Sequence, residues 1–186
     1  SLQSLVEAFQ GRPFIWVAAG PSLDKNVHLL KENGDRAVVI CADTVAKKLL
    51  GLGIVPHIIV SLERVLEVHE YLEKLWTEYP EETADILLVS QAVCVPELAK
   101  WPGPHIVVGK QEIPVDQWVV GSVLQGGLFF SGLSVAHMGM WIAAFLGASS
   151  LALIGQDLAF GEDERTHAAA TVSAEHAQAG ALTGRN

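Results

Sequence analysis

Short apolar runs alternate with amphipathic stretches along most of this chain. The runs rich in β-branched residues predict strands, and apolar residues at three- and four-residue spacing predict the helices between them. The predicted strands cover 14–19, 37–42, 57–62, 85–90, 105–109 and 151–155, and the predicted helices cover 22–33, 43–52, 66–79 and 133–147. Because the strands are apolar at nearly every position, both faces of their sheet should be covered by helices. The sequence therefore predicts an α/β fold with a Rossmann-like, doubly wound and mostly parallel sheet.

One apolar stretch has the composition of a membrane span. No Asp, Glu, Lys or Arg occurs between Asp116 and Asp157, and residues 128–146 are strongly apolar. Glycines and serines interrupt this stretch, and residues 151–154 read as a separate buried strand. A core helix packed on the sheet therefore explains the stretch better than a membrane contact.

Polar and small residues follow the predicted strands. Right-handed crossovers bring the carboxyl ends of parallel strands to one edge of the sheet, where ligands bind. The residues at these ends are Gly20, Pro21, Ser22, Asp43, Glu63, Gln91, Gln156 and Asp157. We expect them to surround one ligand site.

The first of these segments is a strand that enters a helix through Gly20, Pro21 and Ser22. Unpaired N–H groups in a first helical turn, together with the helix dipole, would cradle a phosphate. Ala18 and Leu23 stand where the dinucleotide pattern G-x-G-x-x-G requires glycine, and no Walker pattern occurs. The loop therefore predicts a nucleotide site that is not for a nicotinamide or flavin dinucleotide.

Asp43 lies where an acidic residue of nucleotide-binding βαβ units accepts hydrogen bonds from ribose, although it would equally serve as a helix N-cap. An alternative is that Asp43, Glu63 and Asp157 bind a divalent cation. Among the histidines, His167 is the candidate general base or charged partner, because it follows Asp157 in a polar segment at the ligand edge. His57 and His105 open strands and His137 lies on an apolar helix, so these three are expected to be structural.

Composition narrows the class of partner. The chain has 186 residues, is 50% hydrophobic and carries a formal net charge of -9. The size fits a single domain over residues 1–186, and the charge argues against a nucleic-acid surface. Cys41 and Cys94 have no metal-type spacing and are expected to be reduced thiols, as in a cytoplasmic protein. The chain is expected to be the central domain of a longer protein, with 161–186 a mobile lid or a truncated helix.

Several segments, in this order, resemble the motility accessory factor family of flagellin glycosyltransferases, whose central domain is similar to bacterial sialyltransferases that use CMP-sugars. These segments are Ala19-Gly-Pro-Ser-Leu23, Ala42-Asp43, Gly53-Ile-Val-Pro-His57, Ser131-Gly-Leu-Ser-Val135, Ile154-Gly-Gln-Asp-Leu-Ala159 and Thr166-His-Ala168. The resemblance implies transfer of a nonulosonic acid from its CMP ester to Ser or Thr hydroxyls of flagellin, with no cofactor and no membrane. The wider family also contains 6-hydroxymethylpterin diphosphokinases, which would use ATP and Mg²⁺.

The resemblance also implies roles for individual residues. His167 and Asp157 would be catalytic, and the nucleotide or sugar would be bound by Gly20, Pro21, Ser22, Asp43, Glu63, Gln91, Ser131, Gly132, Ser134 and Gln156. Glu63 stands where the family is expected to have Asp, which leaves its role open. A single leaving phosphate needs no metal, whereas diphosphate transfer normally requires Mg²⁺, and this favours the glycosyltransferase. A binding module without turnover is the third reading.

Overall fold

A computed structural model describes residues 2–62, 66–123, 127–130, 132, 134–159 and 166–171. Its sheet has seven strands in the order β6-β5-β4-β3-β2-β1-β7, and every neighbouring pair is parallel. The strands are β1 Pro13–Val17, β2 Val38–Ala42, β3 Ile58–Ser61, β4 Leu87–Gln91, β5 His105–Lys110, β6 Leu128–Phe129 and β7 Ser150–Ile154. The six predicted strands are confirmed in position, but β7, which was expected to be buried, is largely exposed at the edge of the sheet. The sequence pattern missed the two-residue β6, because it lies in an apolar stretch without alternation.

Seven α-helices accompany these strands in the described part of the chain. They are α1 Leu2–Phe9, α2 Leu23–Asn33, α3 Asp43–Gly51, α4 Leu66–Glu78, α5 Pro80–Asp85, α6 Pro114–Asp116 and α7 Val135–Phe145. A π-helical turn, Gln117–Val123, continues α6, and short 3₁₀ turns span Gly34–Arg36 and Pro96–Lys100. The four predicted helices are α2, α3, α4 and α7, whereas the short helices α1, α5 and α6 were not predicted.

Helices cover both faces of the sheet, and the direction of the chain decides which helix covers which face. On one face, Leu23 and Leu30 of α2, Leu49 of α3 and Leu72 of α4 pack against strand residues such as Val39. On the other face, α1 and α7 pack on alternate strand residues that include Phe14, Ile40 and Ile58. The chain moves outward from β1 to β6 and then returns through α7 to β7, beside β1. Because crossovers between parallel strands are right-handed, a connection that runs back across the sheet must place its helix on the face opposite to that of α2, α3 and α4. The doubly wound prediction is confirmed.

The apolar stretch that resembled a membrane span belongs to the core. It forms β6 and the 11-residue α7, whose Met138, Ile142 and Ala143 are buried against the sheet. Gly139 lets α7 approach closely, since a Cβ there would overlap the ring of Trp16. Within the described residues, no helix has the length and apolarity needed to cross a bilayer.

Two of the three histidines expected to be structural are so, and the third is not buried. His57 Nδ1 accepts the N–H of Val39 at 3.1 Å, and His105 Nε2 lies 2.7 Å from Ser90 Oγ. The prediction of a core histidine at His137 is wrong, because its ring is exposed at the start of α7 and bonds to a nearby hydroxyl. The helical period predicts which face of α7 is buried, but His137 lies in the first turn, which other elements do not bury.

Both cysteines are reduced thiols outside any disulfide, as expected. Cys41 is fully buried in β2, and burial, aided by the nearby Asp43 carboxylate, raises the pKa of its thiol above the usual range. A thiol held protonated in this way is chemically inert. Of the predicted mobile or truncated segment 161–186, residues 161–165 and 172–186 lie outside the described residues.

Candidate functional site

A cavity of about 510 Å³ opens at the carboxyl ends of the central strands. Its wall comes from the loops after β1, β2, β3 and β7, from the first residues of α7, and from the segment that follows β7. The described residues lining it are Ala18, Ala19, Gly20, Ala42, Asp43, Thr44, Leu62, Ser134, Val135, Ala136, Gly155, Gln156, Asp157, Leu158, Ala159, Thr166 and His167. The ligand edge predicted from the strand ends is therefore a real concavity.

The floor of the cavity is a tight junction between the loops after β1 and β7. The Gly20 N–H donates to the Gly155 carbonyl at 2.8 Å, and the Ser22 N–H donates to Asp157 Oδ2 at 2.7 Å. A Cβ at Gly20 would lie 2.5 Å from both Asp157 Oδ2 and the Gly155 carbonyl oxygen. Glycine is required here because two backbones meet, which explains the Gly-Pro-Ser sequence.

The amide groups of this loop are not left open for a phosphate. In addition to the bonds of Gly20 and Ser22, the N–H groups of Leu23, Asp24 and Lys25 donate to carbonyls three residues back, at 3.0 to 3.3 Å. Pro21 has no N–H. The expectation of unpaired amides at the start of α2 is therefore wrong. The Asp157 carboxylate has taken the position of the expected anion, because a negative group is stabilised at a helix N-terminus whether it comes from a ligand or from the protein.

The N-terminus of α7, and not that of α2, has backbone N–H groups without an acceptor among the described residues. Ser134 is its extended N-cap residue, but the Ser134 hydroxyl lies 2.9 Å from His137 Nδ1 and makes no cap bond to the backbone. Among the described residues, no acceptor lies within hydrogen-bond distance of the N–H groups of Val135 and Ala136. Since Ser134, Val135 and Ala136 line the cavity, the positive end of the α7 dipole faces it.

Asp43 is the buried acidic group of the site. It is the first residue of α3 and is only 3% exposed. Its Oδ1 accepts the N–H of Thr44 at 2.7 Å, and its Oδ2 accepts the hydroxyl of Ser61 at 2.6 Å. Ala42 is the N-cap residue of α3, and the Asp43 carboxylate accepts the N–H of Thr44 within the first turn. The bonds fix the orientation of the carboxylate against the cavity wall.

His167 reaches the cavity because the segment 166–171 is held down on the helical layer. The Ala168 N–H donates to the Ala19 carbonyl at 2.7 Å, and the Ala169 N–H donates to Asp24 Oδ2 at 3.0 Å. Lys48 Nζ bonds to Asp24 Oδ1 at 2.7 Å and to the Ala169 carbonyl at 2.6 Å. Thr166 Oγ1 lies 2.8 Å from Nδ1 of His167, so the ring has a partner on one nitrogen.

The structure brings together six of the predicted site residues at the cavity wall: Gly20, Asp43, Ser134, Gln156, Asp157 and His167. Pro21 and Ser22 follow Gly20 in the same loop but do not line the cavity. Neither Gln91 nor Gly132 lines the cavity: Gln91 is buried at the end of β4, and the Gly132 carbonyl accepts a bond from Lys110 Nζ at 3.4 Å. Glu63 and Ser131 lie outside the described residues. The roles of all these residues stay predictions.

Sequence reasoning missed residues that hold the site in shape without lining its cavity, and one residue at the rim. Trp16 is fully buried in β1, and its indole N–H donates to Gln156 Oε1 at 2.9 Å. Lys48 of α3 and Asp24 of α2, which the sequence did not single out, bond to each other at 2.7 Å and hold the segment that carries His167. Leu158 is 91% exposed at the rim and has a φ of 51°, a left-handed conformation that leucine rarely adopts.

The acidic groups do not form a metal cluster within the part of the chain that the structure describes. No group of three or more His, Cys, Asp or Glu side chains there is arranged to hold a metal ion. Glu63, the third member of the predicted set, is not among the described residues. The cavity wall described here also contains no lysine or arginine.

Comparison with known proteins agrees with this architecture. The family model described as "6-hydroxymethylpterin diphosphokinase MptE-like" matches residues 1–163. The chain belongs to this MptE-like family. Its structure is also similar to the solved structure of the MAf glycosyltransferase from Magnetospirillum magneticum AMB-1, with a TM-score of 0.69 and 25% sequence identity. That match covers 83% of this chain but only 24% of the glycosyltransferase, so this MptE-like chain spans about a quarter of that protein. No curated protein sequence matches it significantly.

Proposed function

We propose that this MptE-like chain is the donor-binding domain of a glycosyltransferase that uses a CMP-activated nonulosonic acid. The acceptor would be a Ser or Thr hydroxyl of a protein, with flagellin the first candidate. One observation carries the choice: the described cavity wall offers two carboxylates, amide and hydroxyl groups and a helix N-terminus, but no lysine or arginine. Such a wall suits a ligand rich in hydroxyls with one phosphate. The similarity to the MAf glycosyltransferase supports the same class of reaction.

The geometry suggests how the nucleotide would lie. The carboxylate of Asp43, fixed by Ser61 and Thr44, accepts hydrogen bonds and suits the ribose hydroxyls. The N–H groups of Val135 and Ala136, which have no acceptor among the described residues, suit the phosphate, since they carry partial positive charge at a helix N-terminus. The ligand would therefore span the cavity from the β2 end to α7.

In the transfer step, the acceptor oxygen attacks the anomeric carbon while the bond from that carbon to the CMP phosphate oxygen breaks. CMP leaves with the electron pair, and the α7 N–H groups stabilise its added charge. The acceptor proton passes to the ring nitrogen of His167 that Thr166 does not bond. Asp157 holds the loop after β1 through the Ser22 N–H, so we assign it to maintaining the shape of the site.

A diphosphokinase is the second candidate, because the matching family is described by that activity. Bound Mg²⁺ would supply charge neutralisation for the phosphates of ATP, and Asp43 and Asp157 would be its ligands. The described donor set does not fit this role well. Among the described residues, no third carboxylate joins Asp43 and Asp157.

Ligand binding by the purified chain tests the choice. Calorimetric titration with CMP in the presence of EDTA should show binding, and CMP should raise the melting temperature under the same conditions. ATP with Mg²⁺ should neither bind nor raise the melting temperature. AMP, which has one phosphate but a different base, is the control for recognition of cytosine. Binding of ATP that depends on Mg²⁺, together with release of AMP when a hydroxymethylpterin is added, would overturn the proposal in favour of the diphosphokinase. If none of these nucleotides binds, only the third hypothesis remains, that of a binding module without turnover.

A further inference from the structure

The side chain of Gln156 is fixed by a partner that has only one hydrogen-bonding capacity. The indole of Trp16 is fully buried, and its Nε1–H lies 2.9 Å from the Gln156 amide. An indole N–H donates and never accepts, so the amide atom that faces it must be the oxygen. The chemistry of Trp16 therefore decides the orientation of the amide.

This orientation gives the cavity a side-chain group of known polarity. With Oε1 bound to Trp16, the amide nitrogen is left with two N–H donors, and Gln156 lines the cavity. Within the described residues, no acceptor lies within hydrogen-bond distance of this nitrogen. The nitrogen is also not fully buried, so a ligand in the cavity can reach it.

We propose that Trp16 is a positioning residue that makes Gln156 a donor-only contact, and that this contact recognises the phosphate of the nucleotide. The inference rests on the proposed function, because it takes the ligand to be a nucleoside monophosphate ester. A phosphate oxygen can only accept, so it matches an amide that can only donate. Gln156 provides the only side-chain amide of the described cavity wall, whose carboxylates would repel a phosphate.

Replacing Gln156 tests the contact. Gln156→Met keeps the length of the side chain and adds no charge, and it should weaken CMP binding by about tenfold or more. Cytidine, which lacks the phosphate, should bind this variant within about twofold of its affinity for the unaltered chain. Gln156→Glu keeps an acceptor for Trp16 but replaces the donor by a carboxylate oxygen, so it should lose at least as much CMP affinity.

Replacing Trp16 tests the positioning. Trp16→Phe removes the N–H and lets the amide rotate, so CMP should bind about threefold more weakly. In the Gln156→Met background the same substitution should cause no further loss, because Trp16 acts through the amide. Trp101→Phe is the matched control: Trp101 is also buried and donates its indole N–H to a backbone carbonyl, that of Ile86, at 3.0 Å. It should leave CMP affinity unchanged.

The outcomes separate this inference from the proposed function. If the unaltered chain does not bind CMP, both fall. If it binds CMP and either Gln156 variant binds equally well, only the inference is overturned, and this holds even if Trp16→Phe fails to fold. Equal losses of CMP and cytidine affinity in Gln156→Met would place the contact on the nucleoside and overturn the assignment to phosphate. A loss in Trp16→Phe that persists undiminished in the Gln156→Met background would overturn the positioning role.

Discussion

Oδ2 of Asp157 accepts the backbone N–H of Ser22 at 2.7 Å, across a sequence separation of 135 residues. A side chain from the loop after β7 thus stabilises the start of α2, which follows β1. The bond joins two loops that the neighbouring strands β1 and β7 bring to the same edge. It also places a negative charge where the sequence alone suggested a bound phosphate.

Removing this acceptor should destabilise the fold. Asp157→Ala leaves the Ser22 N–H without a partner in a half-buried position and should lower the free energy of unfolding by about 1–3 kcal/mol. Asp157→Asn keeps an oxygen acceptor and loses only the charge at the helix N-terminus, which should cost about 0.3–1 kcal/mol. Urea denaturation measures both values, with exposed Asp35→Ala as the control. Equal losses in the two Asp157 variants would show that charge alone matters.

The contact between α7 and β1 gives a second prediction. A Cβ at Gly139 would overlap the Trp16 ring, so Gly139→Ala should lower the free energy of unfolding by about 1–3 kcal/mol. Gly34→Ala is the matched control, since a Cβ there meets nothing within 4 Å and the φ of -57° suits alanine. The control should be neutral or stabilising by up to about 1 kcal/mol. A Gly139→Ala variant as stable as the control would mean that the helix can shift without loss.

A third prediction concerns the ion pair between Lys48 and Asp24, which holds the segment 166–171 beside the cavity. Lys48→Met removes the bonds to Asp24 and to the Ala169 carbonyl, so the amides of Ala168 and Ala169 should exchange hydrogen faster. Lys47→Met is the control, because Lys47 forms only a long, exposed contact of 3.5 Å with Glu78 in the described structure. Exchange followed by NMR or mass spectrometry measures the effect. The idea fails if the two variants expose these amides equally.

His57, half-buried just before β3, makes the free energy of unfolding depend on pH. Burial, with a smaller contribution from Arg12, lowers the pKa of His57 below its model-peptide value of 6.5, and Nδ1 must be unprotonated to accept the Val39 N–H. A lowered folded-state pKa means that the unfolded chain takes up the proton first. Stability from this group is therefore present above about pH 6.5 and is lost as the pH falls below that value.

His57→Gln should make the free energy of unfolding less dependent on pH between about pH 7 and 5. His105, whose pKa burial also lowers, keeps part of the dependence in this variant. His28→Gln, on the exposed face of α2, serves as the control and should leave the slope unchanged. Denaturation curves across this pH range give the slopes, and an unchanged slope in His57→Gln would contradict the prediction.

The hydrophobic pattern by itself determined the six main strands, the four principal helices and the edge at which a ligand would lie. It could do so because parallel strands buried on both faces are apolar throughout, and because one crossover hand fixes where their ends meet. It also identified most of the polar residues at the cavity, since these interrupt apolar runs at the strand ends. The motifs around Gly20 and Gln156 carried the family resemblance in the same way.

Only the tertiary structure decided which polar groups are already satisfied. The sequence gives no sign that Asp157 occupies the N-terminus of α2, that Trp16 orients Gln156, or that Lys48 holds the segment of His167. Each of these contacts joins residues more than a hundred positions apart, and hydrogen bonds depend on distances of a few tenths of an ångström. Periodicity predicts which face of an element is buried, whereas the partner of a donor is known only when the faces are packed together.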